Sequence, residues 1–507
     1  MDEYKYECKP KALSDEHSRL SHSEKPRQRN IQSKHLSCGF LLLQLLVGLL
    51  VLGSAMLIVI FQHPKALLDV QPNFETAEES VLRASCARTC KFEIAESIPQ
   101  NLTFNGPLPL STFDAWKYLI DNAKCSIDIA AYKSSLRGKH VFGCTPQPYS
   151  KPDKGDNEDG ISLEKLGAVT RRTLNLQRMF GSGTMHSKFI VVDNKHFYLG
   201  SANLDWRSLN QKMEMGVLVR DCPCLAQDLR NVFEVYWRAA EAKNVSALNA
   251  VLRKQQNVIF NTGNPLKLTW KGVNTDLHLA TSPKYMNQPG RSWDLDSIVT
   301  SLDNAKSFAY IHVMDYFPMF LYGKEQRYWP RIDNAIRAAI MRGVRVKIIG
   351  AALHYPTIGL RFLKSLESMN GATGSISVKI FKVPSSESIQ NVLRRDRRTH
   401  KKFLVTDDIV IIGTSNWSGD YFEDRGTGAA IVIKQDDSNT STSVIREMKS
   451  IFDRDWNSDY VHSLSEYFQN CILAKDHTSV SNLTEYPTIP SYCEGEKDIS
   501  LFVSSKA

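Results

Sequence analysis

A histidine, a lysine two residues on and an aspartate five beyond that occur twice in this chain with one spacing. The first set is His186, Lys188 and Asp193; the second, 214 positions later, is His400, Lys402 and Asp407. A glycine, a serine and an asparagine follow each: Gly200, Ser201 and Asn203, then Gly413, Ser415 and Asn416. Two imidazoles, two ammonium groups and two amides facing one point suit displacement at phosphorus. One neutral imidazole attacks and forms a covalent intermediate, which splits a hard step into two easier ones. The other, protonated, donates to the leaving oxygen and then activates water. Lys188, Lys402, Asn203 and Asn416, with the hydroxyls of Ser201 and Ser415, are placed to hold the non-bridging oxygens. This chemistry asks for no metal ion or other cofactor, because the lysines carry the positive charge.

The elements that position these groups are readable from the flanks. Each histidine opens a run of apolar and β-branched residues, Phe189 to Val192 and Phe403 to Thr406, which predicts a buried strand. Residues two apart on a strand share a face, so each histidine is presented with its lysine. Each aspartate stands at an odd offset from its lysine. Asp193 and Asp407 are therefore grouped with the site in orienting or structural roles near the turn. Phe197 to Leu199 and Ile409 to Ile412 return as second strands that deliver the asparagines.

At these residues the chain resembles the phospholipase D superfamily, whose H-x-K-x4-D motif both sets match. The words S-A-N-L-D-W-R-S-L (201–209) and G-T-S-N-W-S-G-D-Y-F (413–422) look like the type II membrane branch of animal phospholipase D-like proteins. The resemblance implies an α/β fold of two pseudo-symmetric halves, with mixed β-sheets flanked by helices and one transmembrane helix in front. It implies a metal-independent phosphodiesterase, an endolysosomal 5′-to-3′ exonuclease of single-stranded DNA and RNA. The partner would then be a single-stranded nucleic acid. A phospholipid is the alternative, through hydrolysis or phosphatidyl transfer at the same site. The superfamily's tendency makes His186 the nucleophile and His400 the general acid, and an acidic lumen would keep one imidazole protonated.

With 507 residues the chain can bury a substantial core, and its net charge of +9 suits an anionic substrate without identifying nucleic acid. Residues 1–37 are polar and without apolar periodicity, which predicts a disordered cytosolic tail. Gly39 to Phe61 is long and apolar enough to span a bilayer, so 38–61 reads as a signal anchor. Lys25, Arg27, Arg29 and Lys34 precede it, so the positive-inside rule sends the rest of the chain to the lumen. In transit the protein would pass through endoplasmic reticulum and Golgi membranes. Residues 62–85 form a stalk, 86–260 a first half, and 261–507 a second half with a C-terminal tail. Monomer and homodimer both remain open.

Eight of the ten cysteines fall in the lumenal part, where an even count favours disulfides. Zinc is the alternative for Cys86-x3-Cys90 and Cys222-x-Cys224, but no histidine lies close to either pair. The branch resemblance implies that these two pairs join each other and that Cys471 pairs with Cys493. Sequons at Asn101, Asn244, Asn439 and Asn482 fit lumenal glycosylation, whereas Asn416-Trp-Ser is rejected because that asparagine belongs to the site.

Outside the motifs the halves repeat a helix and a strand. Phe113 to Lys124, then Ser126 to Tyr132, parallels Leu295 to Lys306, then Ser307 to Tyr316. The halves are unequal, however, with 62 residues from Lys124 to His186 and 94 from Lys306 to His400. The longer interval holds a helix pattern, 329–342, and a buried-strand pattern, 344–349, where the first half offers loop chemistry over 142–160. One helix and one central strand are thus expected to be missing beside His186, leaving backbone groups unpaired. A catalytically inactive membrane protein is the third reading on that account. Arg394, Arg395, Arg397 and Arg398 could track a phosphate backbone or solvate a loop. Trp206, Trp417, Tyr421 and Phe422 could stack on bases but more often such aromatics pack a core. Gly181-Ser-Gly183 is expected to form a lip beside His186.

Overall fold

Apolar runs of four to seven residues, each cut off by turn residues, become the strands of two sheets. The computed structural model describes residues 85–136, 157–255, 258–322, 326–351, 357–384, 397–424, 426–435 and 442–469. The apolar segment 39–61, Cys144, Cys471, Cys493, Asn439, Asn482, Arg394 and Arg395 lie outside the described residues. Among the described residues, no helix is long and apolar enough to cross a membrane.

The first half contains β1 (Lys91–Ser97), α1 (Thr112–Asp121), β2 (Ile127–Ala130), β3 (Phe189–Val192), β4 (His196–Gly200), β5 (Glu214–Arg220) and α2 (Pro223–Ala239). Its sheet runs Leu110–Ser111, β1, β5, β4, β3, β2. Every residue of β3 is buried, as a strand with neighbours on both sides requires. Asp193 and Asn194 close the β3–β4 hairpin with φ of 53° and 52°. That left-handed pair matches the twist of the strands it joins.

The second half contains β6 (Val273–Ser282), α3 (Asp294–Asn304), β7 (Phe308–Val313), α4 (Arg331–Met341), β8 (Arg345–Ala351), α5 (Thr357–Glu367), β9 (Ser375–Phe381), β10 (Lys402–Thr406), β11 (Ile409–Gly413), β12 (Gly428–Lys434) and α6 (Val444–Trp456). Its sheet runs Ser292–Trp293, β6, β12, β11, β10, β7, β8, β9, Val461–Ser463. The order from Ser292–Trp293 to β7 repeats that of the first half. One apolar core then runs through both sheets, with Phe197 and Val217 of one half packed with Phe403, Ile431 and Phe452 of the other.

The unequal intervals take a different form from the one expected. In the second half β8 adds in parallel to the outer edge of β7, and β9 to β8. In the first half β2 ends the sheet among the described residues. The place that β8 takes in the second half therefore lies outside β2 in the first, at the edge, and not next to His186. β3 keeps β2 and β4 as antiparallel neighbours, and the histidine's strand has no gap.

Two disulfides, Cys86–Cys224 and Cys90–Cys222, staple the segment before β1 to the start of α2. With all four sulfurs so paired, the zinc alternative is set aside. Asn101 and Asn244 are exposed, and the Asn244 side chain caps the helix that follows by accepting from the Ala247 N–H at 2.9 Å.

The basic run before the second motif is mostly structural where it is described. Arg397 is buried and donates to the carbonyls of Gln100 (2.9 Å) and Pro384 (2.8 Å), so it joins the halves and does not face a polyanion. Lys401 points away from the strand face that carries His400 and Lys402. It sits fully buried between Glu96 of β1 and Asp455 of α6, 2.6 Å from the latter. Arg454 closes the same network on Glu96 and Asp455, and His312 lies 3.3 Å from Asp455. Removing one buried partner strands the others' charge. Lys401→Met is expected to cost about 3–5 kcal/mol, read as a lower denaturant midpoint. An unchanged midpoint would mean that the network contributes nothing to joining the halves.

Candidate active site at the seam

Each motif histidine is pinned by the opposite half. The strand before His186 pairs Thr184 with Gly426, and the strand before His400 pairs Thr399 with Met213. The His186 N–H donates to Thr427 Oγ1 at 2.9 Å, and the His400 N–H donates to the Met213 carbonyl at 2.7 Å. Thr427 and Met213 occupy equivalent places in the two halves, so the site has a pseudo-twofold axis at the seam. Lys188 and Lys402 each curl back to donate to the carbonyl of their own histidine, at 2.5 and 2.7 Å. His186, Lys188, Asn203, His400, Lys402 and Asn416 are all buried, and the two histidines are near enough for the charge of His186 to bear on His400. Asn203 Oδ1, Asn416 Oδ1 and His186 Nδ1 are buried with no hydrogen-bond partner. A cluster of polar atoms without partners at one seam is a place built for a polar ligand.

Asp193 and Asp407 lie at the far ends of their strands. Asp193 accepts from the backbone N–H groups of Lys124 (2.8 Å), Cys125 (2.7 Å) and Ser126 (2.8 Å). Those donors hold its carboxyl below the usual carboxylate range. Asp407 does the same for Lys306 (2.7 Å) and Ser307. Both tie the hairpin to the helix–strand corner, the orienting role expected of them.

The two serines are not equivalents. Ser201 Oγ accepts from the Met215 N–H at 3.0 Å, and Thr414 Oγ1 accepts from the Ala429 N–H at 3.0 Å. Thr414 is thus the counterpart of Ser201, and Ser415 is that of Ala202. Ser415 Oγ donates to Asp294 at 3.3 Å, and Ser201 Oγ donates to Glu214 at 2.6 Å, so both are committed to carboxylates within the fold.

Glu214 was not anticipated from the sequence. It opens β5, is fully buried, and its Oε2 lies 2.7 Å from His400 Nδ1. An acid at the head of an otherwise apolar strand was the only signal for it. The second half has Gly428 at the same position. A Cβ there would lie 2.0 Å from Ser415 Oγ and 3.0 Å from Asp294 Oδ2, so no side chain fits unless both move. The site is therefore asymmetric at this point: His400 has a carboxylate on Nδ1, and among the described residues His186 has the Thr414 carbonyl approaching its ring and no carboxylate on Nδ1.

Burial, with Lys402, Lys212, Lys188 and His186 adding to it, drives His400 well below the usual imidazole range. His186 is lowered for the same reason, with Lys188 and Lys402 the main charges. Burial thus works against the charged imidazole that an acidic lumen was expected to maintain. Burial raises Glu214 above the usual carboxylate range, and its Oε2 stands in hydrogen-bond contact with His400 Nδ1. Lys188 is pushed well down, and Lys402 is lowered to about 7, in both cases mainly by burial.

Two tyrosines flank the reacting face. Tyr421 and Tyr132 have ring centroids 4.7 and 5.3 Å from that of His186, and Lys188 Nζ lies 5.2 Å over the Tyr132 ring. Of the aromatics that follow the asparagines, Trp417 and Phe422 are core residues, Phe422 stacked on Trp329 at 5.8 Å, and Trp206 is half-buried. Gly181, with φ of 78°, ends the helix Leu176–Phe180 just before Thr184, so the glycines act as a chain reversal into the motif strand.

Comparison with known proteins agrees with the geometry. The family model described as "PLD3/4, PLD-like domain" matches residues 153–386. The protein named 5′-3′ exonuclease PLD3 in Xenopus laevis is 34% identical over 420 residues, which is 76% of this chain and 84% of that protein. Its Homo sapiens namesake is 33% identical over 75% of this chain and 82% of its own. A probable phospholipase D from Caenorhabditis elegans is 35% identical over 76% of this chain and 72% of its own length. With both motifs at one seam and relatives more than 30% identical matched over most of their length, this chain belongs to the PLD3-type branch of the phospholipase D superfamily.

Proposed function

We propose that this protein is a 5′-to-3′ exonuclease of single-stranded DNA and RNA that works through a phosphohistidine intermediate. The observation that carries the reading is the asymmetry at the seam: two opposed histidines, of which only His400 has a carboxylate behind it. Neutral His186 attacks the phosphorus that joins the 5′-terminal nucleotide to the strand, and the phosphorus–oxygen bond to the remaining strand breaks as the His400–Glu214 pair gives that oxygen a proton. The same pair then takes a proton from water as its oxygen attacks, and the phosphorus–nitrogen bond breaks to release His186. A carboxylate on Nδ1 stabilises the imidazolium that forms in the second step. Lys188, Lys402, Asn203 and Asn416 hold the non-bridging oxygens.

Relatives named 5′-3′ exonuclease support nucleic acid as the substrate, and Tyr132 and Tyr421 offer rings on which a terminal base can stack. The two disulfides support an oxidising compartment, in keeping with a type II membrane protein whose catalytic part faces the endolysosomal lumen.

The test is to give the full-length protein, at acidic pH in EDTA, single strands labelled at the 5′ or the 3′ end. Stepwise release from the 5′ end is expected. Head-group release from phospholipid vesicles with both oligonucleotides untouched would point to lipid chemistry instead.

The lysines set the pH dependence. Lys402 is charged below about 7 and neutral above it, so phosphate binding weakens as pH rises through that value. A bound phosphate favours the charged lysine. The alkaline limb of kcat/KM is thus expected near that pH, while the limb of kcat lies higher. A kcat/KM that stays flat from about pH 6 to about pH 9 would show that Lys402 does not need its charge.

A further inference from the structure

The pseudo-twofold axis lets the two sides of the seam be compared position by position, and they differ in charge. Thr184 and Gly426, which pair across the seam, stand two residues before His186 and Gly428. The residues two before His400 and Glu214 are Arg398 and Lys212. They flank the Met213–Thr399 pair, where the Met213 N–H donates to the Arg398 carbonyl at 3.1 Å. Two cations on the His400 side thus take the places of a threonine and a glycine on the His186 side.

Both cations act on the reacting groups. Lys212 is buried, and its charge bears on His400, Glu214, Lys188 and Lys402. Arg398 is half-buried, and its charge bears on Lys402. Two acids stand near them. Asp205 feels Lys212, but Arg207 already holds that carboxylate through Nε at 2.9 Å. Asp315 feels Arg398 and Lys402, but burial raises it to about 6, so below that pH it is mostly neutral and leaves their charge uncancelled.

Rings gather on the other side. Tyr132 and Tyr421 lie against His186, and Tyr322 packs edge-on against Tyr421 at 6.2 Å. Lys133 also bears on His186, but its ammonium lies over the Tyr132 ring, 5.6 Å from the centre. Displacement at phosphorus runs in line, so with His186 attacking, the leaving oxygen lies opposite, at His400. In a single strand that oxygen belongs to the next nucleotide, which carries a further phosphate. A phosphate on that side comes to the place where this chain sets Lys212 and Arg398.

We propose that Lys212 and Arg398 form a subsite for the second phosphate of a single strand, the first one in the part that leaves. The strand then lies with its 5′ nucleoside among the tyrosines and its remainder past these cations. The inference rests on the exonuclease reading above. The full-length protein is given two trinucleotides, one with phosphodiesters throughout and one whose second linkage is a neutral methylphosphonate, and cleavage of the first linkage is followed. The wild-type kcat/KM is expected to be about tenfold or more higher on the charged trinucleotide, as for a charge-assisted hydrogen bond lost. Added salt should narrow the gap. In Arg398→Gln and in Lys212→Met the ratio should fall toward one, whatever happens to the absolute rates. A purely structural role would lower both rates alike, and a ratio kept in both variants would overturn the assignment. Equal wild-type rates on the two trinucleotides would overturn the subsite and leave the exonuclease reading standing. Cleavage of neither would overturn both.

Discussion

Alanine in place of either His186 or His400 is expected to lower kcat by about 10⁴-fold or more, with KM little changed. Each histidine serves both steps of a double displacement, so the loss of one stops the cycle. The double variant should be no worse than the worse single one, as is usual for groups that act as a unit. The fold should survive, because the backbone N–H of each histidine makes a cross-half bond, to Thr427 Oγ1 and to the Met213 carbonyl, that alanine keeps; His400→Ala removes in addition the side-chain contact with Glu214. A far-ultraviolet spectrum and a melting curve beside the rate would establish this. A folded variant that retains a tenth of the wild-type kcat would remove that histidine from the chemistry.

Glu214→Gln is expected to lower kcat by about 10²–10⁴-fold while the protein stays folded. Glutamine has the same shape and can still accept from Ser201, but it cannot carry the charge that stabilises an imidazolium at His400. Removing a carboxyl that burial opposes should leave the melting temperature unchanged or raise it. A structural role predicts the reverse: a fall in stability and a kcat close to wild type. The pH profile gives a third reading. If Glu214 and His400 share the catalytic proton, the acidic limb of kcat must move in the variant, and a fixed limb would assign it elsewhere.

Much of the site was legible because strand periodicity and motif spacing are local. His186 and Lys188 had to share a face, as did His400 and Lys402, and the odd offset of Asp193 and Asp407 sent them to the hairpin ends. The helix–strand repeat was legible too, down to the equivalence of Lys124 and Lys306. What was hidden depended on contacts between the halves. Glu214 reaches His400 across 186 positions of sequence, and nothing near it marks it as different from any strand-opening acid. The equivalence of Ser201 with Thr414 is invisible to an eye that matches serine to serine. It appears only when Met215 and Ala429 are seen to occupy one place. The short first interval was read as a gap beside His186, whereas β3 keeps both its neighbours, because interval length does not say which side of a strand loses its neighbour. For the arginine run, a phosphate track and a solvated loop were the two readings, and Arg397 fits neither, being buried against partners in the fold.

The measurement that bears most directly on the whole account is rapid alkaline quenching of the enzyme during turnover of a single strand, followed by mass analysis of the histidine peptides. A phosphorus–nitrogen bond survives base, so the intermediate should appear as a nucleotide-sized adduct on the peptide containing His186. The Glu214→Gln variant should accumulate more of it if release of His186 is the step that it slows. Full turnover with no adduct on either histidine would contradict the covalent route, and an adduct on His400 would reverse the roles assigned to the two.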